Sequence, residues 1–148
     1  MKKALFLFAS LIVLATAYYM YKEYTKPHTD VASSDAFELL SSKDIYAKFI
    51  ADEEAANLKY AEQVITVKGL LLSKDLSNES EPQISLEGDD FEGVVRCGFK
   101  PAELEKVKAL KEGSEVQLKG ICIGLNGSDE LDLLGGKDVL LSNCIIIE

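Results

Sequence analysis

Two segments of this chain repeat each other: Ile65-Thr66-Val67-Lys68-Gly69-Leu70 and Val116-Gln117-Leu118-Lys119-Gly120-Ile121 share one order of apolar, polar, apolar, lysine and glycine residues. Apolar residues recurring at every second position predict a strand with one buried face. The first pattern runs over Val64–Leu72, with Ile65, Val67 and Leu71 on one side, and the second over Ser114–Leu125. A glycine inside a strand marks a bulge or a bend. Two long strands bent at the same relative point are what a small sheet needs to curl over and close on itself.

The remaining pattern supplies the rest of such a sheet. Shorter strands are expected at Gln83–Leu86 and Val94–Phe99, the latter with Val95, Cys97 and Phe99 on one face, and at Val139–Ile147, with an edge strand at Leu131–Leu134. Pro101 suits the first turn of a helix, Leu104, Val107 and Leu110 form its stripe, and Gly113 ends it. Ahead of the strands, Ser41-x-x-Asp44 starts a helix carrying Ile45, Tyr46, Phe49 and Ile50, and Asp52-Glu53-Glu54 starts another carrying Ala55, Ala56, Leu58 and Tyr60. Five main strands with a helix between the third and fourth is the order of the OB-fold: an all-β, five-stranded, partly open β-barrel, here with accessory helices. The order alone also permits a sandwich.

The start of the chain is a different physical object. Lys2-Lys3 precede Ala4 to Tyr21, eighteen residues without a charge, followed by Lys22. This predicts residues 1–21 as a transmembrane anchor or signal peptide, residues 22–40 as a polar linker and residues 41–148 as the OB-fold domain with its helical cap. Ala15-Thr16-Ala17 offers a signal-peptide cleavage site, whereas Tyr18, Tyr19 and Tyr21 suit the interface end of a retained helix. Retention places the chain in a membrane, single-pass, with the C-terminal domain outside the cytoplasm; cleavage leaves it periplasmic or secreted. The first cysteine is Cys97, so this stretch carries no cysteine for a lipid anchor.

Charge narrows the partners. Residues 30–148 hold 12 Lys/Arg against 24 Asp/Glu, a net of −12, and Arg96 is the one arginine. Phosphate backbones are bound through clustered cations, so nucleic acid is an unfavourable partner. Cys97, Cys122 and Cys144 each sit in an apolar run, as three buried thiols or as one disulfide and a free thiol. Their spacing fits no zinc pattern and the sole histidine, His28, lies in the linker, so neither a metal nor another cofactor is expected. No nucleophile motif, phosphate loop or distinct carboxylate pair is present, and no catalytic activity is expected.

From about Asp52 onward the chain resembles the tRNA-anticodon-like OB-fold family. The resemblance rests on the order of Ala55, Ala56 and Tyr60 in a helix, Val67-x-Gly69, Val95-x-Cys97-x-Phe99, Gly113, Leu118-x-Gly120 and Cys144-Ile145-Ile146. It implies the fold, and a small exported or membrane-tethered bacterial protein, more strongly than it implies nucleic-acid binding.

OB barrels bind ligands on the face of their second and third strands, between the loops joining strands one to two and four to five. The binding-loop candidates are therefore Asp75, Glu79 and Glu81, Asp129, Glu130 and Asp132, and Phe91 in the neighbouring turn. Asp89, Asp90 and Glu92 also cluster, without the spacing of a calcium loop. The expected function is a membrane-tethered binding or interaction module with an envelope protein, a peptide or a small ligand as partner. The alternative is an oligonucleotide binder. Coverage of the outer barrel face by Ile45, Tyr46 and Phe49 would remove that face as a site.

Overall fold

In the computed structural model, which describes residues 12, 14–16, 18–20, 31–89, 93–127 and 137–147, the chain divides into two units, Met1–Asp30 and Val31–Glu148. The described residues of the first unit are helical. Among the described residues no helix is long and apolar enough to cross a membrane; most of the apolar stretch from Ala4 to Tyr21 lies outside them.

Among its described residues the second unit contains six strands: β1 (Leu39–Ser41), β2 (Val64–Asp75), β3 (Gln83–Glu87), β4 (Val94–Phe99), β5 (Glu115–Asn126) and β6 (Asp138–Ile146). Its helices are α1 (Ser42–Ala51), α2 (Glu53–Tyr60) and, after a 3₁₀ turn at Pro101–Glu103, α3 (Leu104–Ala109). The edge strand expected at Leu131–Leu134 lies outside the described residues.

Neighbouring strands follow the order β1-β2-β3-β4-β6-β5, and β5 returns to pair with β2. Strands β2 to β6 thus form a closed barrel, with β4 and β6 parallel over Val94↔Asp138 to Cys97↔Leu141. The partly open barrel expected from strand order is corrected to a closed one, because the β4–β6 pairing bridges the gap. That pairing joins segments distant in sequence, so local alternation carries no trace of it.

The two repeated segments pair with each other, antiparallel, with Ile65 opposite Gly120, Val67 opposite Leu118 and Gly69 opposite Val116. Their glycines serve different ends. A Cβ on Gly69 would fall 2.2 Å from Ser42 Oγ, so that glycine admits α1, and the irregularity in β2 comes later, between Leu71 and Ser73. A Cβ on Gly120 would fall 2.5 Å from Cys144 Sγ, and here the β5–β6 register does shift, between Lys119 and Ile121.

Alternation places Ile65, Val67 and Leu71, Ile84 and Leu86, Val95, Cys97 and Phe99, and Val116, Leu118 and Cys122 in one core. Along β6 the buried series is Val139, Leu141 and then Cys144, a step of three. Asn143, at φ 50, takes up the extra residue as a bulge; asparagine tolerates this left-handed conformation better than most side chains. The helix after β4 is shorter than its stripe predicts, and Val107 is its one buried side chain.

Both N-terminal helices start where their caps predict. Asp44 N–H donates to Ser41 Oγ and Ala55 N–H donates to Asp52 Oδ1, each at 3.0 Å. Helix α1 buries Ile45, Tyr46 and Phe49 against the inner-face residues, with the Tyr46 ring over Gly88 and Gly93 at the β3–β4 turn. It therefore caps one end of the barrel rather than covering its outer face.

The segment expected as the end of a linker contributes structure. Val31 and Leu40 are buried, β1 pairs in parallel with Thr66–Lys68, and Lys119 Nζ donates to the carbonyls of Ala32 and Ser34 at 3.4 and 2.7 Å. All three cysteines are buried free thiols. Burial pushes the Cys122 thiol up to about 11 and holds Cys97 well above its ordinary value, which keeps both protonated at neutral pH.

Candidate functional site

The outer face of β3, β4, β6 and β5 carries a groove of about 270 Å³. Its floor comes from residues pointing away from the core: Arg96 and Gly98 on β4, Gln83 on β3, Leu140 and Ser142 on β6 and Ile123 on β5. Glu81, at the end of the β2–β3 loop, forms part of the rim. No residue of α1 lines it, so α1 leaves this face uncovered.

Two irregularities shape this surface. The β5–β6 register shifts again between Cys122 and Gly124, around Ile123, which is 53% exposed. The Asn143 bulge lies on the neighbouring strand β6 and brings Asn143 into the groove lining beside Ser142. Bulges re-aim side chains and are enriched beside functional sites.

Arg96 does not stand as a bare cation. Its guanidinium donates to Asp138 Oδ2 at 2.5 Å, and Asp138 is buried at the start of β6. Arg96 also attracts the Asp75 carboxylate. The charge available to an anionic ligand is thereby largely compensated within the domain.

The structure separates the three described loop candidates. Asp75 accepts from the Ser77 hydroxyl at 2.6 Å and the Ser77 N–H at 3.0 Å, which holds its carboxyl below the ordinary value and shapes the loop. Glu79 lies 3.9 Å from Lys108 Nζ and links the loop to α3. Glu81 faces the groove, and among the described residues its carboxylate has no hydrogen-bond or ion-pair partner. Phe91, Asp129, Glu130 and Asp132 lie outside the described residues, as do Asp90 and Glu92. Asp89 accepts from Gly93 N–H at 2.8 Å and so organises the β3–β4 turn.

Sequence reasoning missed Gln83, Ile123, Leu140, Ser142 and Asn143. A signal existed: Ser142-Asn143 interrupts an apolar run, which is how a bulge reads in sequence, and Ile123 is an apolar residue at an outward position of β5. Phe99 also lines the groove but is buried at 4% exposure.

A closed five-stranded barrel with a helix after its third strand and a grooved outer face is an OB-fold domain. The chain belongs to the tRNA_anti-like family, whose model matches residues 1–134. Among solved structures it is similar to a "putative nucleic acid-binding lipoprotein" from Klebsiella pneumoniae, at 17% identity and a TM-score of 0.58, covering 83% of this chain and 100% of that one. It is also similar to an asparaginyl-tRNA synthetase from Entamoeba histolytica, at 20% identity and a TM-score of 0.39, covering 58% of this chain and 21% of that one. A third similarity is to an OBody bound to hen egg-white lysozyme, at 13% identity and a TM-score of 0.41, covering 60% of this chain and 79% of that one. No curated protein matches the chain.

Proposed function

We propose that this protein is a membrane-tethered, extracytoplasmic OB-fold binding module whose outer groove holds a segment of an envelope protein or a peptide, without catalysis. The observation that carries the reading is the compensated charge of the groove: its one arginine is paired with Asp138 and its rim carries Glu81. Phosphate backbones need clustered cations and single strands need exposed rings for stacking. The described groove residues supply neither. Tethering is supported by the uncharged run Ala4 to Tyr21 behind Lys2-Lys3.

Oligonucleotide binding is the second reading. It is favoured by the words "nucleic acid-binding" in the description of the Klebsiella pneumoniae structure, which shares the fold. Fluorescence anisotropy of labelled single strands at low ionic strength separates the two. The leading reading expects no change; saturable binding that weakens as salt rises would replace it with the second. Fractionation tests the tether, with recovery of the full-length chain in the membrane fraction expected and its recovery in the soluble cell interior decisive against it.

A further inference from the structure

The groove holds one carboxylate that its arginine does not engage. Its arginine, Arg96, is bonded to Asp138, while Glu81 stands on the rim as the carboxylate that lines the groove. Asp138 is engaged by Arg96 and Asp75 by Ser77, which leaves Glu81 as the groove carboxylate without a partner among the described residues. Two lysines, one on β2 and one on α3, are committed elsewhere. Lys74 Nζ donates to the carbonyls of Lys108 and Leu110, and Lys108 pairs with Glu105.

The same groove has an apolar part formed by Ile123 and Leu140. It also has amides, Gln83 and Asn143, which donate and accept at once, as the peptide group does. A long cationic side chain has the matching anatomy, an alkyl stem for apolar surface and a charged head for a carboxylate. The 12 Lys/Arg and 23 Asp/Glu of residues 31–148 give the domain a net charge of −11, which attracts such a segment from a distance.

Building on the groove as the binding face, we propose that its ligand is an extended basic polypeptide segment, with a lysine or arginine head on Glu81 and its stem, or an adjacent apolar side chain, on Ile123 and Leu140. Neutral peptides lack the charge contact, and polyanions meet Glu81 on the rim.

The test uses the full chain in detergent micelles and three probes: a capped five-residue peptide of alternating leucine and lysine, the same peptide with glutamine for lysine, and a ten-nucleotide deoxythymidine strand. Backbone amide shifts of Glu81, Ile123 and Asn143 report the groove, and calorimetry reports affinity. The lysine peptide is expected to move those three amides and to bind at least fivefold more tightly than the glutamine peptide. Glu81→Gln should cost it at least threefold and leave the glutamine peptide unaffected, whereas Ile123→Ser should weaken both peptides. Equal binding of the two peptides, or no effect of Glu81→Gln on the lysine peptide, overturns the basic-segment proposal but leaves the groove as a binding face. No shift at the groove with any probe removes both readings. Tighter binding of the nucleotide strand than of the lysine peptide overturns the proposal in favour of oligonucleotide binding.

Discussion

Tyr46 at the capped end and Arg96 on the outer face are both large side chains with a polar head, and their surroundings are opposite. Tyr46 is 7% exposed and sits where Gly88 and Gly93 have no side chain to obstruct it, so that a Cβ on Gly93 would fall 2.0 Å from its ring. Arg96 keeps 48% of its side chain exposed, in a strand whose inner-face neighbours Val95 and Cys97 are fully buried. At the capped end, small residues let one element approach another. On the outer face, bulges and outward apolar residues create relief that no other described residue fills. The first arrangement contributes stability; the second leaves surface available for a partner.

Substitutions at the capped end should therefore lower stability with little direct effect on the groove, and those on the outer face should do the reverse. Phe49→Ala is the largest test. Phe49 is 1% exposed, and its truncation should cost about 3–5 kcal/mol in urea unfolding. A loss below about 1 kcal/mol would show that α1 does not pack on the barrel as described.

Gly69→Ala comes next. Its new methyl would meet both Ser42 Oγ and Ser42 Cβ, and the resulting overpacking should cost about 1–3 kcal/mol. Ser42→Gly in the same chain should restore part of that loss. An unrelieved double variant would mean that the glycine serves the strand rather than the helix.

On the other side, Ile123→Ser should change stability by no more than about 0.5 kcal/mol, since the residue is half exposed, while weakening whatever occupies the groove. A larger loss of stability would blur the contrast between the two regions.

The smallest effect is expected from Asp75→Ala, and it depends on pH. The Ser77 hydroxyl, then the Ser77 N–H, lower the Asp75 carboxyl below its ordinary 3.8, with attraction to Arg96 a lesser cause. A carboxyl lowered in the folded state stabilises it above the unfolded value, and that contribution disappears as pH falls through the folded value. The melting temperature of the variant should therefore lie slightly below wild type at neutral pH, and the gap should close as pH falls through the lowered value of the folded state. A gap that persists below that value would assign the effect to loop packing instead of charge.

How far the residues alone could lead differs between the two regions for the same reason. Helix α1 was legible, because Ser41 caps its own N-terminus and Ile45, Tyr46 and Phe49 recur within one helix. The inner faces of β2 and β4 were legible for the same reason: alternation is a local property, and Ile65, Val67, Val95 and Cys97 are all buried. Gly69 was read as a bend in a strand, and its role in admitting Ser42 depends on a helix packing from elsewhere. Of the groove, only Glu81 was named in advance as a site residue. Arg96 stood out as a lone cation, but its pairing with Asp138 joins strands β4 and β6, which are neighbours in the barrel and distant in sequence.

Strand identity, strand faces, helix caps and the acidic charge followed from the order of the amino acids, since each depends on residues within a few positions of one another. Closure of the barrel by the β4–β6 and β2–β5 pairings, the neutralisation of Arg96 and the assembly of Glu81, Ile123 and Asn143 around one groove came only with the folded chain. These features depend on register between distant strands, and a bulge of one residue on β6 is enough to exchange which side chains face the core and which face outward.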